Sequence, residues 1–152
     1  MSQEELDSFT AEQRSLAENA FLSYLEWEKY HTIEPLLDDA GNPRIEWQLT
    51  SRQHGYGGTL DLACVVDGKK AVVDIKTSKD LYWEHFCQVS AYWHLARENG
   101  WDAELIQILR IGRTEDEGFD DPVVRMPKLG LYFEAFLSLL EARRKCQRAG
   151  WR

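Results

Sequence analysis

The chain has 152 residues, 43% of them hydrophobic and 12% aromatic, and one hydrophobic core is the usual solution at this length. Its formal net charge of −8 argues against a protein that coats nucleic acid through bulk positive charge. No run approaches the ~20 apolar residues of a membrane span and the polar, acidic beginning lacks a secretory signal, so we expect one cytoplasmic domain over residues 1–152, without a membrane partner.

Hydrophobic periodicity predicts a succession of helices and strands. The first helix begins behind the N-cap candidate Thr10, and an Asp67-Gly68 turn joins two of the strands in a hairpin. In chain order the predicted elements are a helix over 10–30, strands over 45–50, 59–66 and 71–76, a helix over 81–99, strands over 103–111 and 122–126, and a helix over 128–150. This order predicts an α/β fold with a mixed central β-sheet flanked by helices.

Two carboxylates stand inside predicted strands, where an acidic side chain is unfavourable unless it meets a partner. Asp61 lies in the second strand and Asp74 in the third, so the hairpin can bring them together. A hard cation such as Mg²⁺ would neutralise them and leave positions for water and a phosphate. Lys76 shares the face of Asp74, because side chains two residues apart on a strand point the same way. There the lysine can activate water and stabilise negative charge on a phosphate.

A glutamine and a tyrosine share one face of the helix that follows. Gln88 and Tyr92 are four residues apart, which stacks them along the helix. Next to the carboxylate-bearing strands, they are placed to hold the lysine, a metal-bound water or a DNA phosphate. The plainer alternatives are a surface carboxylate at Asp61 that caps the preceding glycine turn, and a structural ion pair between Asp74 and Lys76.

Three short motifs follow one another between residues 57 and 92. They are G-G-T-L-D ending at Asp61, V-V-D-I-K-T-S-K containing Asp74 and Lys76, and Q-V-S-A-Y from Gln88 to Tyr92. Together they resemble the PD-(D/E)XK nuclease superfamily, in its RecB-like or lambda-exonuclease-like branch. The resemblance implies a restriction-endonuclease-like core and hydrolysis of DNA phosphodiester bonds that depends on Mg²⁺ or Mn²⁺.

The resemblance also implies a role for each of the motif residues. Metal ligands would be Asp61, Asp74 and the backbone carbonyl of Ile75. Lys76 would be the catalytic lysine. Gln88 and Tyr92 would take the roles of the branch's helix motif.

Two glutamates are further expected metal ligands. RecB-like nucleases usually carry a histidine ligand on the first helix, whereas this helix offers glutamates, and we expect Glu18 to substitute as a glutamate does in the lambda-exonuclease type. Glu46 matches approximately the acidic residue on the strand before the glycine-rich turn. Both would add to the Asp61 and Asp74 ligand set.

The motifs predict a hydrolase that cuts DNA by metal-assisted attack of water, as an exonuclease of recombination, repair or phage type. A nucleic-acid-binding module of the same fold, with weak or lost catalysis, is the alternative, and an RNA substrate also stays open. The expected setting is a bacterial cell or a phage-infected host. The short chain leaves open a helicase or an annealing protein as partner, and a homo-oligomer.

Overall fold

Helices and strands alternate along residues 2–152, the part of the chain that the computed structural model describes. The helices are α1 (Gln3–Asp7), α2 (Ala11–Lys29), α3 (Trp83–Glu98) and α4 (Lys128–Arg148), with a 3-10 turn at Glu115–Glu117. The strands are β1 (Ile33–Pro35), β2 (Ile45–Ser51), β3 (Tyr56–Val66), β4 (Lys69–Thr77), β5 (Leu105–Ile111), β6 (Phe119–Asp120) and β7 (Val123–Val124).

The strands form one mixed sheet. Its main path runs β1-β3-β4-β5-β6, with β2 beside β3 and β7 beside β5. β4 and β5 are parallel, and the other pairs in residues 2–152 are antiparallel. β2 pairs with the first half of β3 and β1 with the second half, so two short strands share one edge. The predicted α/β fold with a mixed central sheet flanked by helices is confirmed.

The hairpin between β3 and β4 turns on the predicted Asp-Gly pair. Asp67 has a φ of 49° and Gly68 a φ of 81°. A two-residue hairpin turn of this type needs positive φ at both central positions, which aspartate tolerates and glycine favours. Val66 therefore pairs with Lys69, and this register fixes which β4 residues lie beside β3.

Apolar side chains cover both faces of the sheet. The layer under α3 and α4 includes Leu60, Val72, Val89, Ile106, Ile108 and Leu129. The layer under α2 includes Trp27, Cys64, Val73, Leu105 and Leu109. Val72 and Val73 belong to different layers because side chains alternate along a strand. Asp74 and Lys76 consequently share the face of Val72 and project toward α3.

Three short elements depart from the sequence expectations. Helix α1 and strands β1 and β6 were not predicted, and each is too short to carry a periodic pattern. The strand predicted over 122–126 is observed only at Val123–Val124. Among the helices of residues 2–152, none combines the length and the apolar composition that crossing a bilayer requires.

Candidate active site

The two predicted carboxylates meet where β3 and β4 separate. Pairing between the strands ends at Leu62 and Val73. Beyond that point a side chain replaces the backbone hydrogen bonds between the strands: Oδ2 of Asp61 accepts a hydrogen bond from the backbone N–H of Ile75 at 2.9 Å. Asp61 is thereby held against the segment of β4 that carries Asp74.

Asp74 is the buried member of the pair, with 2% of its surface exposed. Its Oδ2 lies 3.0 Å from Nζ of Lys76. That contact lacks hydrogen-bond geometry, and among residues 2–152 this buried oxygen has no hydrogen-bond donor. Burial and the nearby charge of Asp61 raise the pKa of Asp74 to about 6, against the opposing attraction of Lys76. Two neighbouring carboxylates thus share one cation, the ammonium group of Lys76.

A chain of hydrogen bonds holds the lysine from the helix side. Nζ of Lys76 donates to Oε1 of Gln88. The amide Nε2 of Gln88 in turn donates to the hydroxyl of Tyr92 at 2.9 Å. The spacing of four residues therefore stacks the glutamine and the tyrosine on the face of α3 that looks toward the carboxylates. The structure brings together all five predicted catalytic residues.

The ring of Tyr92 is positioned by a glycine that sequence reasoning did not single out. A Cβ atom on Gly58 would lie 2.7 Å from Cε1 of Tyr92, so only glycine leaves room for the ring against β3. Burial, and after it the charges of Asp74 and Asp61, raise the pKa of Tyr92. The signal for Gly58 was a pair of glycines at the start of a strand, which marks a close approach by another group.

Arg110 is a second residue that sequence reasoning missed. It lies buried on β5, where the parallel register sets it beside Lys76. Its guanidinium pairs with Asp120 at 2.9 Å and donates to the carbonyls of Ser78 and Lys79, directly after β4. The arginine therefore fixes the turn that leads from β4 to α3. The signal was a charged residue inside an apolar run.

The carboxylate pair fits a magnesium-type site. Mg²⁺ is usually held by one or two carboxylates, with water and substrate phosphate as the remaining ligands. Asp61 and Asp74 supply that number, and the buried Oδ2 of Asp74, which faces Lys76, is a suitable ligand atom. Ile75, whose carbonyl is the third expected ligand, is anchored through its N–H to Asp61. Within residues 2–152, no three His, Cys, Asp or Glu side chains are arranged to hold a metal by themselves.

The two further glutamates lie outside this arrangement. Glu18 lines a cavity of about 630 Å³ with Asn19 and Phe119, under the helix that covers the opposite face of the sheet. Glu46 lies opposite Asp61 in the sheet, because Ile45 pairs with Leu62 and Trp47 pairs with Leu60. Its backbone has a φ of 51°, its side chain is exposed, and it completes no three-residue metal cluster among the described residues.

Comparison of the sequence with known protein families finds none that matches this chain. Comparison with curated proteins also finds no match.

Proposed function

We propose that this chain is a metal-dependent DNA nuclease with a restriction-endonuclease-like core of the PD-(D/E)XK type, and that it acts as an exonuclease. The observation that carries the proposal is the buried carboxylate of Asp74 set beside a second carboxylate, Asp61, with one ammonium group, that of Lys76, 3.0 Å from its Oδ2. A structural ion pair needs one carboxylate for one ammonium group, whereas here two carboxylates face a single lysine, and a divalent cation would supply the missing positive charge. The order of strand carboxylate, D-x-K and helix Q-x-x-x-Y supports the same function.

In the proposed hydrolysis, the two carboxylates and the lysine have different roles. Asp61 and Asp74 would hold the divalent cation, which when bound supplies Lewis acidity and lowers the pKa of a coordinated water. Lys76, oriented by Gln88, is placed to position the attacking water and to stabilise the charge that grows on the phosphate oxygens. The water oxygen forms the new bond to phosphorus, the phosphodiester P–O bond breaks, and the leaving oxygen takes a proton.

The test is degradation of linear duplex and single-stranded DNA with Mg²⁺ and with Mn²⁺. Asp74→Ala and Lys76→Ala are expected to lower the rate by at least about a hundredfold, the scale of general acid–base and electrostatic contributions. Lys69→Ala is the matched control, because it removes an exposed lysine from the same strand about 23 Å away. Cleavage by Lys76→Ala at the wild-type rate would refute the proposal.

A second candidate is a nucleic-acid-binding module of the same fold. It is favoured by one observation: Glu18 and Glu46 do not join the pair, so no third acidic or histidine side chain completes a metal cluster in residues 2–152. DNA binding without cleavage in either Mg²⁺ or Mn²⁺ would select this function over the nuclease.

A further inference from the structure

A groove runs between α3 and α4 beside the candidate active site. Its volume is about 380 Å³, within the range of about 300–1,000 Å³ that ligand sites occupy. Apolar side chains line it, namely Cys87, Phe136, Leu139 and Leu140. It is therefore a place where a flat apolar group can be withdrawn from water.

Gln88 connects this groove to the catalytic lysine. The same side chain lines the groove and accepts the hydrogen bond from Lys76. A ligand in the groove consequently lies one side chain away from the lysine.

The α4 wall of the groove carries an arginine, although the chain as a whole is acidic. Arg143 lines the groove from α4. It is the first of five cations in the exposed segment 141–152, which has one acidic side chain, Glu141, in a chain of net charge −8. Concentrated positive charge on one helix end attracts phosphates.

An aromatic pair stands at the α3 end of the groove. The ring of Tyr82 lies 5.6 Å from the ring of His85, which itself lines the groove. Tyr82 is 56% exposed, so more than half of its surface is accessible to solvent. Exposed aromatic rings next to cations are the usual platform for unpaired bases. The carboxylate of Glu84 on the same wall can accept a hydrogen bond from a base N–H.

We propose that the α3–α4 groove binds an unpaired DNA strand. A base enters the apolar groove, an adjacent base stacks on Tyr82, and Arg143 pairs with a backbone phosphate. A duplex keeps its bases stacked inside and cannot fill the groove without unpairing them. The inference rests on the proposed nuclease function and adds to it the substrate class, a single strand or a frayed end.

Binding without metal tests the groove separately from cleavage. Fluorescence anisotropy in EDTA compares a labelled thymidylate of about 15 nucleotides with a blunt duplex of equal length. We expect tighter binding of the single strand. Arg143→Ala should weaken it about tenfold and lower the salt slope by about one, and Tyr82→Ala should weaken it at least about fivefold. Arg52→Ala and Tyr30→Ala, which remove exposed side chains outside the groove lining, should bind like the wild type.

The groove and the nuclease function fail in different ways. The groove proposal is refuted if single strand and duplex bind equally well, or if Arg143→Ala and Tyr82→Ala both bind like the wild type. Either result refutes it even if Mg²⁺-dependent cleavage is observed. Groove-dependent binding of the single strand with no cleavage in either metal would support the groove and refute the nuclease. Circular dichroism of each variant distinguishes lost binding from lost folding.

Discussion

Asp74→Asn is expected to stabilise the metal-free protein at neutral and alkaline pH. The pKa of Asp74 rises from 3.8 to about 6 in the folded protein, so the folded state holds this proton more tightly than the unfolded chain. At about 1.4 kcal/mol for each factor of ten in a dissociation constant, ionised Asp74 lowers the free energy of unfolding by about 3 kcal/mol. This value already includes the attraction of Lys76, and asparagine cannot ionise.

The size of this stability difference changes with pH in a defined window, while its sign stays the same. Below about pH 3.5 both states carry a protonated Asp74, and the wild type and Asp74→Asn differ little in this respect. As the pH rises from about 4 to about 6.5, the wild type loses stability relative to the variant, and above that window the gain is complete. Urea unfolding followed by tryptophan fluorescence at several pH values measures the difference.

Asp67→Asn is the matched control, because the pKa of Asp67 is lowered by hydrogen bonds from His31 and from the backbone of Thr32. A carboxyl with a lowered pKa stabilises the folded state when ionised, so this variant should lose stability at about pH 8. Added Mg²⁺ should raise the stability of the wild type more than that of Asp74→Asn. A pH-independent difference, or a less stable Asp74→Asn at about pH 8, would refute the reasoning.

Three other variants probe the frame around the site. Gly58→Ala should cost about 1–3 kcal/mol of stability and lower cleavage, because its Cβ atom would overlap the ring of Tyr92. Gly130→Ala on α4 is the control, because its Cβ atom would meet only a flexible methionine side chain. Denaturant unfolding and DNA degradation are measured for both variants. Arg110→Met should cost about 1–3 kcal/mol in the same unfolding assay, because it leaves the carbonyls of Ser78 and Lys79 without their donor. Arg113→Met should cost almost nothing, and equal losses would contradict the anchoring role. Burial lowers the pKa of His31, but its two aspartate partners outweigh this and raise it; His31→Gln should therefore destabilise more at about pH 5.5 than at about pH 9, a trend that thermal unfolding would reveal or exclude.

The long elements could be predicted because their patterns are local. The helix expected over 10–30 is observed as Ala11–Lys29, capped by Thr10 as predicted, and the helix over 81–99 as Trp83–Glu98. The Asp-Gly turn fixed the hairpin and its register. The pairing of Gln88 with Tyr92 followed from helical spacing alone, and the structure adds that the glutamine contacts the lysine.

The remaining features depend on contacts between distant parts of the chain. β1 gains its partners from β3, some thirty residues later, and no periodic pattern in three residues reveals this. Glu18 was a reasonable ligand by its place on the first helix, but which face of the sheet that helix covers is decided by packing of Trp27. The role of Gly58 became visible only with the ring of Tyr92 in place.

The residues of the candidate site all come from one continuous stretch of the chain. From Gly58 to Tyr92 the polypeptide runs through β3, the hairpin turn, β4 and the first part of α3. Closing such short loops carries a small entropic penalty, so these contacts can form early during folding. The outer strands can then vary in length or acquire insertions while the arrangement of carboxylates, lysine, glutamine and tyrosine is retained.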